Sequence, residues 1–217
     1  MKKVIIAGAS GLIGSELLTL LLNNKGIEEV IALLRKPLPI SHNKLRQITV
    51  NFENLASYKS ELNGDVIYCC LGSTIKKTPK LADYLKVDHD YPVELAKIAL
   101  KNKIEQFHLI SALGANSSSK VFYTRLKGET EEDLKALGLK SLHIYQPALL
   151  TGNRSEHRSL EKLFGVAMKV INPLLLGPLE KYRSIKATTV AQAMINQTFK
   201  TMNGLNTYSS DIIKTLA

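Results

Sequence analysis

Residues 2–36 read KKVIIAGASGLIGSELLTLLLNNKGIEEVIALLRK, and this stretch decides the fold. Its first apolar run, at 4–7, is rich in β-branched residues and ends at a glycine, which is typical of a buried parallel strand. Leucines at helical spacing follow at 17–22, and a second apolar run occupies 30–34. A strand, a glycine turn, a helix and a second strand in this order predict a βαβ unit.

Three glycines between the first strand and the helix, spaced Gly-x-x-Gly-x-x-Gly, would have separate roles in a dinucleotide-binding loop. Gly8 would make the tight turn, Gly11 would let a pyrophosphate approach the backbone because it has no Cβ, and Gly14 would let the helix pack close to the strand. The free N–H groups at the helix N-terminus would then hold the phosphates. Glycines also occur for plain turn and packing reasons, but the strand and helix on either side favour dinucleotide binding.

The end of the second strand indicates which dinucleotide binds. An NAD site usually has an acidic residue there, which binds the ribose 2′-hydroxyl, whereas this chain has Leu34, Arg35 and Lys36. A guanidinium can pair with a 2′-phosphate through two hydrogen bonds and stack on an adenine. We therefore expect NADP (NADPH) as the cofactor. The alternative is that Arg35 and Lys36 are solvated loop charges.

The composition is that of an ordinary globular protein, with 217 residues, of which 45% are hydrophobic and 22% charged. This length predicts a single domain, 1–217, with a nucleotide-binding core at 1–150 and a small C-terminal substrate-side lobe at 151–217. The net charge of +10 is spread along the chain without a recognition motif. An anionic cofactor or substrate, or plain solubility, explains the charge as well as a nucleic-acid surface does.

Other features bear on location and assembly. The apolar runs are too short to span a membrane. Adjacent Cys69 and Cys70 would point to opposite faces of a strand, so they fit a reducing cytoplasm better than a disulfide. The five histidines are scattered without metal-ligand spacing, so we expect no metal site. Nothing in the sequence settles the oligomeric state, and a homodimer stays open.

Strands and helices alternate along the chain as far as Pro147. This order predicts an α/β fold with a doubly wound parallel sheet, the Rossmann arrangement. A helix interrupted by Pro92 is expected after a basic loop at 75–80, which is a candidate lid. The predicted strands beyond the first two are 47–52, 65–72, 107–111 and 142–147, and the predicted helices are 54–61, 81–102, 121–137, 159–171 and 187–202, followed by a short segment from 208.

Two strand ends carry further candidate cofactor contacts. Asn51 and Phe52 close the third strand and could flank the adenine, although a strand-ending asparagine and a core phenylalanine explain them equally well. Leu71, Gly72 and Ser73 end the fourth strand, where a glycine lets a ligand touch the backbone.

A candidate catalytic group follows the fifth strand. Ser111 lies at the end of that strand, and Tyr123 and Lys127 are four residues apart on one face of the next helix. A phenol ionises near pH ~10, and a nearby ammonium lowers this value and so fits the phenol for general acid–base chemistry. Lys127 would also hold the nicotinamide ribose, and Ser111 would bind the carbonyl oxygen that becomes the alcohol. A half-buried ring beside a solvated lysine is the alternative.

Taken together, these motifs resemble the short-chain dehydrogenase/reductase family, and more narrowly its atypical branch that includes the Tat-interactive-protein-like oxidoreductases. The resemblance covers nearly the whole chain. The motifs that carry it are GASGLIG at 8–14, CLGST at 70–74, VD at 87–88, LISALGA at 109–115, YTRLKGE at 123–129 and QPALLTG at 146–152.

The resemblance implies a Rossmann fold, NADP(H) binding and the catalytic assignment of Ser111, Tyr123 and Lys127. Two residues depart from the branch, because Gln146 replaces a frequent arginine and Ala112 replaces a frequent second serine. Both lie on the substrate side and bear on substrate type. The resemblance also implies the following cofactor-lining residues: Gly8, Ser10, Gly11, Leu12, Ile13, Arg35, Leu71, Gly72, Lys127, Pro147, Ala148, Leu149 and Leu150.

The function expected from the sequence is an NADP-dependent oxidoreductase that transfers a hydride between NADP(H) and a small carbonyl or alcohol, with Tyr123 as general acid or base. Some members of this branch act as cofactor-dependent regulators. The alternative is therefore an NADPH-binding regulator or scaffold with little or no turnover. A nucleic-acid binder is the third and weakest hypothesis, because only the net charge supports it.

Overall fold

The computed structural model describes residues 1–74, 78–152 and 175–217. Its frame is a seven-stranded sheet in which every neighbouring pair is parallel, and a further two-stranded pair lies beside it. The strands are β1 (Lys2–Ala7), β2 (Ile27–Leu34), β3 (Leu45–Thr49), β4 (Val66–Cys69), β5 (Gln106–Ile110), β6 (Ser141–Gln146), β7 (Leu150–Thr151), β8 (Ile185–Lys186) and β9 (Gly204–Ser209).

Helices connect these strands. The described α-helices are α1 (Leu12–Asn23), α2 (Leu81–Leu85), α3 (Tyr91–Lys101), α4 (Phe122–Ala136), α5 (Ala187–Thr198) and α6 (Ser210–Leu216). Two 3₁₀ segments, Phe52–Glu61 and Gly177–Tyr182, and a π turn, Lys86–Asp90, complete the described elements. None of the described helices has the length and hydrophobicity that a membrane span requires.

The sheet is covered on both faces because alternate residues of each strand point in opposite directions. In β1, Val4 and Ile6 join one apolar cluster, which contains residues of α1 and α5, whereas Ile5 and Ala7 join the other, which contains residues of α3 and α4. All four side chains are fully buried. Strands buried on both faces explain the nearly continuous apolar runs in the sequence and confirm the predicted doubly wound α/β fold.

The strand order β3-β2-β1-β4-β5-β6-β9 places a topological switch point between β1 and β4. The chain winds outward from β1 through β2 to β3, and then crosses back to β4 and winds in the opposite direction. Ligands of open α/β sheets bind in the crevice at the carboxyl ends of the strands flanking such a point. The fold therefore directs attention to the loops that follow Ala7 and Cys69.

The C-terminal segment differs from its expected arrangement. We predicted residues 151–217 to form a substrate-side lobe, but β9 pairs in parallel with β6 and extends the main sheet, and α5 packs against α1. The strand was missed because it lies at a sheet edge, is mostly exposed and has the mixed sequence GLNTYS. The predicted helix at 159–171 and residues 75–77 of the predicted lid lie outside the described residues.

Two local predictions had different outcomes. The expected interruption near Pro92 is present, since the π turn Lys86–Asp90 separates α2 from α3 and Pro92 lies in the first turn of α3. The third strand is shorter than predicted, because β3 ends at Thr49 and Phe52 begins a 3₁₀ segment.

Candidate functional site

The glycine loop lies directly between the carboxyl ends of β1 and β4. Gly8 has a φ of +86°, which favours glycine, and a Cβ there would lie 2.4 Å from the carbonyl oxygen of Cys70. A Cβ on Gly14 would lie 2.1 Å from the Gly8 carbonyl oxygen. Gly8 therefore makes the turn and Gly14 permits close packing of α1, as the spacing of the glycines predicted.

The N-terminus of α1 opens onto this crevice without a competing anion. Gly11 is the N-cap and provides no side-chain hydrogen bond, and the first turn of the helix contains no acidic residue. The Gly11 amide donates a hydrogen bond to the Gly8 carbonyl at 2.9 Å. No side chain caps the first amides of the helix. Free N–H groups and the positive end of the helix dipole make this position suitable for a phosphate group.

The neighbouring candidate residues differ in what they can offer a cofactor. Ser10 is exposed and Leu12 is partly exposed. The Ile13 side chain is buried in the core between α1 and the sheet, so only its backbone can face a ligand. A Cβ on Gly152 would lie 2.9 Å from Leu12 Cδ1. The segment that follows β6 therefore lies against the glycine loop.

The candidate residues at the ends of β2 and β3 differ in exposure and in the contacts they make. Arg35 and Lys36 are exposed directly after β2, and neither forms an ion pair with another described residue. Asn51 Oδ1 accepts a hydrogen bond from the Glu53 amide at 3.0 Å and so caps the 3₁₀ segment. Phe52 is buried, with its ring centroid 5.4 Å from that of Tyr91. Its side chain is thus a core residue, which was the alternative to its role beside an adenine.

The loop after β4 passes over a buried ion pair. Lys127 Nζ lies 2.8 Å from Asp88 Oδ1, and the two residues are only 5% and 1% exposed. Asp88 Oδ2 accepts a hydrogen bond from the Ser73 amide at 2.7 Å. A Cβ on Gly72 would lie 3.7 Å from Asp88 Oδ1 and 4.0 Å from Lys127 Nζ. Gly72 therefore lies beside Lys127, and Ser73 is joined to the lysine through Asp88.

Lys127 remains a cation in this environment. Burial by itself lowers its pKa, but the Asp88 carboxylate and the nearby Tyr123 outweigh burial, so that the net pKa lies above that of an ordinary lysine. Tyr123, one helical turn earlier on α4, is 41% exposed. The positive charge therefore lies beside the phenol, although Asp88 neutralises much of that charge.

Ser111 is tied to a second buried carboxylate. Its Oγ donates to Glu131 Oε1 at 2.5 Å, and Gln146 Nε2 donates to both Glu131 oxygens at 2.8 and 3.0 Å. Lys135 Nζ lies 3.4 Å from Glu131 Oε2, and Glu131 is 3% exposed. The Ser111 proton is thus used within the protein. It would reach a substrate carbonyl only if Ser111 exchanged its bond to Glu131 for one to the substrate.

The segment after β6 is held by three backbone contacts. The Leu113 amide donates to the Pro147 carbonyl at 3.0 Å, the Ile185 amide donates to the Leu149 carbonyl at 3.0 Å, and the Ala148 amide donates to Ser210 Oγ at 2.7 Å. Leu149 is exposed and Leu150 is partly exposed at the edge of the crevice. C-terminal residues 185 and 210 therefore fix a segment that was predicted to line the cofactor site.

Asp88 and Glu131 had no expected role within the site, and Gln146 was expected only to bear on substrate type. A signal for Glu131 was available, because Tyr123, Lys127 and Glu131 are spaced four residues apart and share one face of α4. Asp88 gave a weaker signal, because the neighbouring Lys86, His89 and Asp90 are polar as well and nothing in the sequence singles it out. Among the described residues, no group of three or more His, Cys, Asp or Glu side chains could hold a metal ion.

Comparisons with known proteins agree with this arrangement. The chain matches the model of the NAD(P)H-binding family over residues 8–171. Protein HTATIP2 of Rattus norvegicus is 34% identical over 200 residues, which is 90% of this chain and 80% of that protein. The mitochondrial protein fmp52 of Aspergillus fumigatus is 30% identical over 215 residues, which is 94% of this chain and 90% of that protein.

Solved structures share the fold at lower identity. The Bordetella bronchiseptica enzyme WbmH in complex with NAD⁺ aligns with a TM-score of 0.72 and 18% identity over 99% of this chain and 78% of the other. Vestitone reductase from alfalfa aligns with a TM-score of 0.68 and 17% identity over 96% and 77% of the two chains. These similarities concern the fold of the chain.

Proposed function

The chain belongs to the NAD(P)H-binding family, as an atypical short-chain dehydrogenase/reductase, and from this we propose that it is an NADP-dependent oxidoreductase acting on a small carbonyl or alcohol. The observation that carries the proposal is the position of the buried, positively charged Lys127. Its Nζ lies 4.0 Å from the place that a Cβ on Gly72 would occupy. This short distance supports one crevice shared by the nucleotide-side loop and the catalytic candidate. The uncapped N-terminus of α1 supplies the phosphate site of the same crevice.

Arg35 supports NADP rather than NAD. It is exposed at the carboxyl end of β2, where an NAD site would have an acidic side chain, and no other described residue forms an ion pair with it. Its guanidinium is therefore available to a 2′-phosphate, and Lys36 adds a second positive charge. The cofactor preference follows from this pairing of opposite charges.

Tyr123 is the proposed proton donor and acceptor. Its Oη would give a proton to the substrate oxygen during reduction and take one during oxidation, and the adjacent Lys127 ammonium would stabilise the phenolate. When bound, NADP(H) would supply or accept the hydride. Ser111 would bind the substrate oxygen in this scheme once its hydroxyl gives up the hydrogen bond that it donates to Glu131.

Parallel titrations with NADPH and NADH, followed by turnover assays on a panel of carbonyls, test the proposal. We expect NADPH to bind more tightly and Tyr123→Phe to keep its NADPH affinity within about twofold while losing about 10²-fold or more in turnover. Tyr91→Phe is the matched control, since the Tyr91 hydroxyl bonds only to Glu53 among the described residues, at 2.8 Å. Unchanged turnover in Tyr123→Phe would remove the tyrosine from the chemistry.

A regulatory or scaffold role is the second candidate, and the observation in its favour is that the Ser111 hydroxyl is already bonded to Glu131. A protein of this kind would bind NADPH tightly and show no turnover on any carbonyl of the panel. We further propose a cytoplasmic location, because Cys69 and Cys70 are both free. A small-molecule partner and a possible homodimer complete the proposal.

A further inference from the structure

Asp88 connects two parts of the crevice that are separate in the sequence. One of its oxygens lies 2.8 Å from Lys127 Nζ on α4, and the other accepts the Ser73 amide of the loop after β4 at 2.7 Å. Its backbone carbonyl lies 3.0 Å from Thr130 Oγ1, whose single proton is shared with the Leu126 carbonyl at 2.8 Å, and this contact holds the π turn against α4. The side-chain carboxylate and the backbone carbonyl of Asp88 are therefore both held by hydrogen bonds.

The position of Asp88 in a π turn is informative. Insertion of a π turn into a helix changes the direction of its side chains, and such turns are frequent at functional sites. Here the turn Lys86–Asp90 directs an acidic side chain inward, so that it is 1% exposed. A buried ion pair often gives no more stability than apolar side chains of the same volume. Stability alone therefore does not account for this pair.

From this geometry, and on the basis of the proposed function, we propose that Asp88 is a positioning residue that couples the nucleotide loop at Leu71–Ser73 to Lys127. The carboxylate fixes the amide of Ser73 and the ammonium of Lys127 in one arrangement, next to Gly72. A cofactor that touches the backbone of Gly72 thus meets a lysine whose position and charge are already set. Loop and lysine are pre-organised together.

The charges around Lys127 are few. Asp88 faces it from the π turn and Tyr123 from its own helix, while Cys69 faces it from β4. Burial raises the pKa of the Cys69 thiol to about 12, so this group is neutral at ordinary pH. Tyr84 lies near Asp88, and burial raises the pKa of its phenol as well. Asp88 is thus the anion among these groups that balances the lysine.

Replacing Asp88 by asparagine tests this role. The amide oxygen of Asp88→Asn can still accept the Ser73 amide, but it has no charge to balance Lys127. Burial would then dominate and lower the pKa of the lysine. We expect wild-type NADPH affinity to change little between about pH 6.5 and 9, and Asp88→Asn affinity to weaken about tenfold over the same range as Lys127 loses its proton.

Two variants serve as controls. Asp133→Asn changes an exposed acid on α4 that bonds to His89, and it should behave as the wild type does. In the double variant Asp88→Asn with Lys127→Met, the additional pH dependence should disappear. A merely structural role for Asp88 would lower affinity equally at every pH, and parallel profiles for Asp88→Asn and the wild type would therefore overturn the proposal.

A further measurement does not depend on the folding of Asp88→Asn. In Lys127→Gln the carboxylate loses its partner on α4, so the Ser73 amide should exchange its hydrogen about tenfold faster or more if the coupling is real. Unchanged exchange at Ser73 would overturn it. Failure of the wild type to bind NADPH or NADH would instead refute the proposed function, which keeps the two failures distinguishable.

Discussion

The substitution Gly11→Ala adds one methyl group and tests the proposed binding role of the glycine loop independently of its structural role. Gly11 has a φ of −79° at the N-cap of α1, which alanine adopts without strain. Its Cβ would lie 3.2 Å from the Gly8 carbonyl oxygen and 3.9 Å from that of Cys70. The same methyl on Gly14 would lie 2.1 Å from the Gly8 carbonyl oxygen, which is too close unless the backbone moves.

The expected magnitudes follow from these distances. For Gly11→Ala, a shift of a few tenths of an ångström relieves the contact, so the free energy of unfolding should stay within about 1 kcal/mol of the wild type. For Gly14→Ala, backbone overlap should cost about 2–3 kcal/mol. Gly11→Ala should nevertheless weaken NADPH binding at least about tenfold, or about 1.4 kcal/mol, because the methyl occupies the approach of the pyrophosphate.

Urea denaturation and fluorescence titration with NADPH measure the two effects in the same pair of variants. Gly11→Ala should fold normally and bind NADPH poorly. If Gly11→Ala bound NADPH with wild-type affinity, the phosphates would not approach this backbone, and the location of the cofactor at the switch point would be refuted. If Gly14→Ala were as stable as the wild type, the close packing of α1 on Gly8 would be contradicted.

Two other properties of the chain can be tested more briefly. Arg35→Ala should raise the NADPH dissociation constant about tenfold and leave that of NADH within about twofold, because only NADPH carries the 2′-phosphate; equal losses in parallel titrations would contradict the pairing. Burial lowers the pKa of His143 to about 4 and that of His108 well below its usual value, so both are neutral when folded. In the unfolded chain these histidines bind protons below about pH 6.5. The free energy of unfolding, measured by urea denaturation, should therefore be constant above this pH and fall towards pH 4 by about 1.4 kcal/mol per pH unit for each histidine. A free energy of unfolding that did not change with pH would contradict this.

The sheet and the glycine loop were predictable because their causes are local. Apolar runs such as that of β1 are buried on both faces, so the sequence pattern has no ambiguity about their role. The spacing of Gly8, Gly11 and Gly14 has meaning only between a strand and a helix, and both neighbours could be recognised from their periodicity. Where local pattern and tertiary role coincide, as here, the sequence is sufficient.

The third strand and β9 were less predictable because tertiary contacts decide them. Phe52 continues an alternating pattern after β3, yet it turns into the core beside Tyr91 and opens a 3₁₀ segment. Residues 204–209 have little hydrophobic alternation, and they form a strand because β6 offers an unpaired edge. In both places the partner of a residue, rather than its neighbours in sequence, selects the conformation.

The partners of the catalytic candidates could be predicted least. Helical spacing places Tyr123, Lys127 and Glu131 on one face of α4, but it does not say that Asp88 pairs with the lysine or that Ser111 donates to Glu131. Asp88 and Lys127 are separated by 39 positions in the sequence, and Ser111 and Glu131 by 20. They depend on how the helices pack over the sheet.

These partners bear directly on the chemistry. A lysine balanced by Asp88 stabilises a phenolate less than an unbalanced one would, because the carboxylate opposes the ammonium at the position of Tyr123. The site can restore this effect only if the ammonium moves towards the tyrosine and ribose when the cofactor binds. With the charges balanced in the resting state, activation of the phenol is left to the cofactor-bound state. The two candidate functions, oxidoreductase and cofactor-dependent regulator, therefore differ in whether this movement occurs.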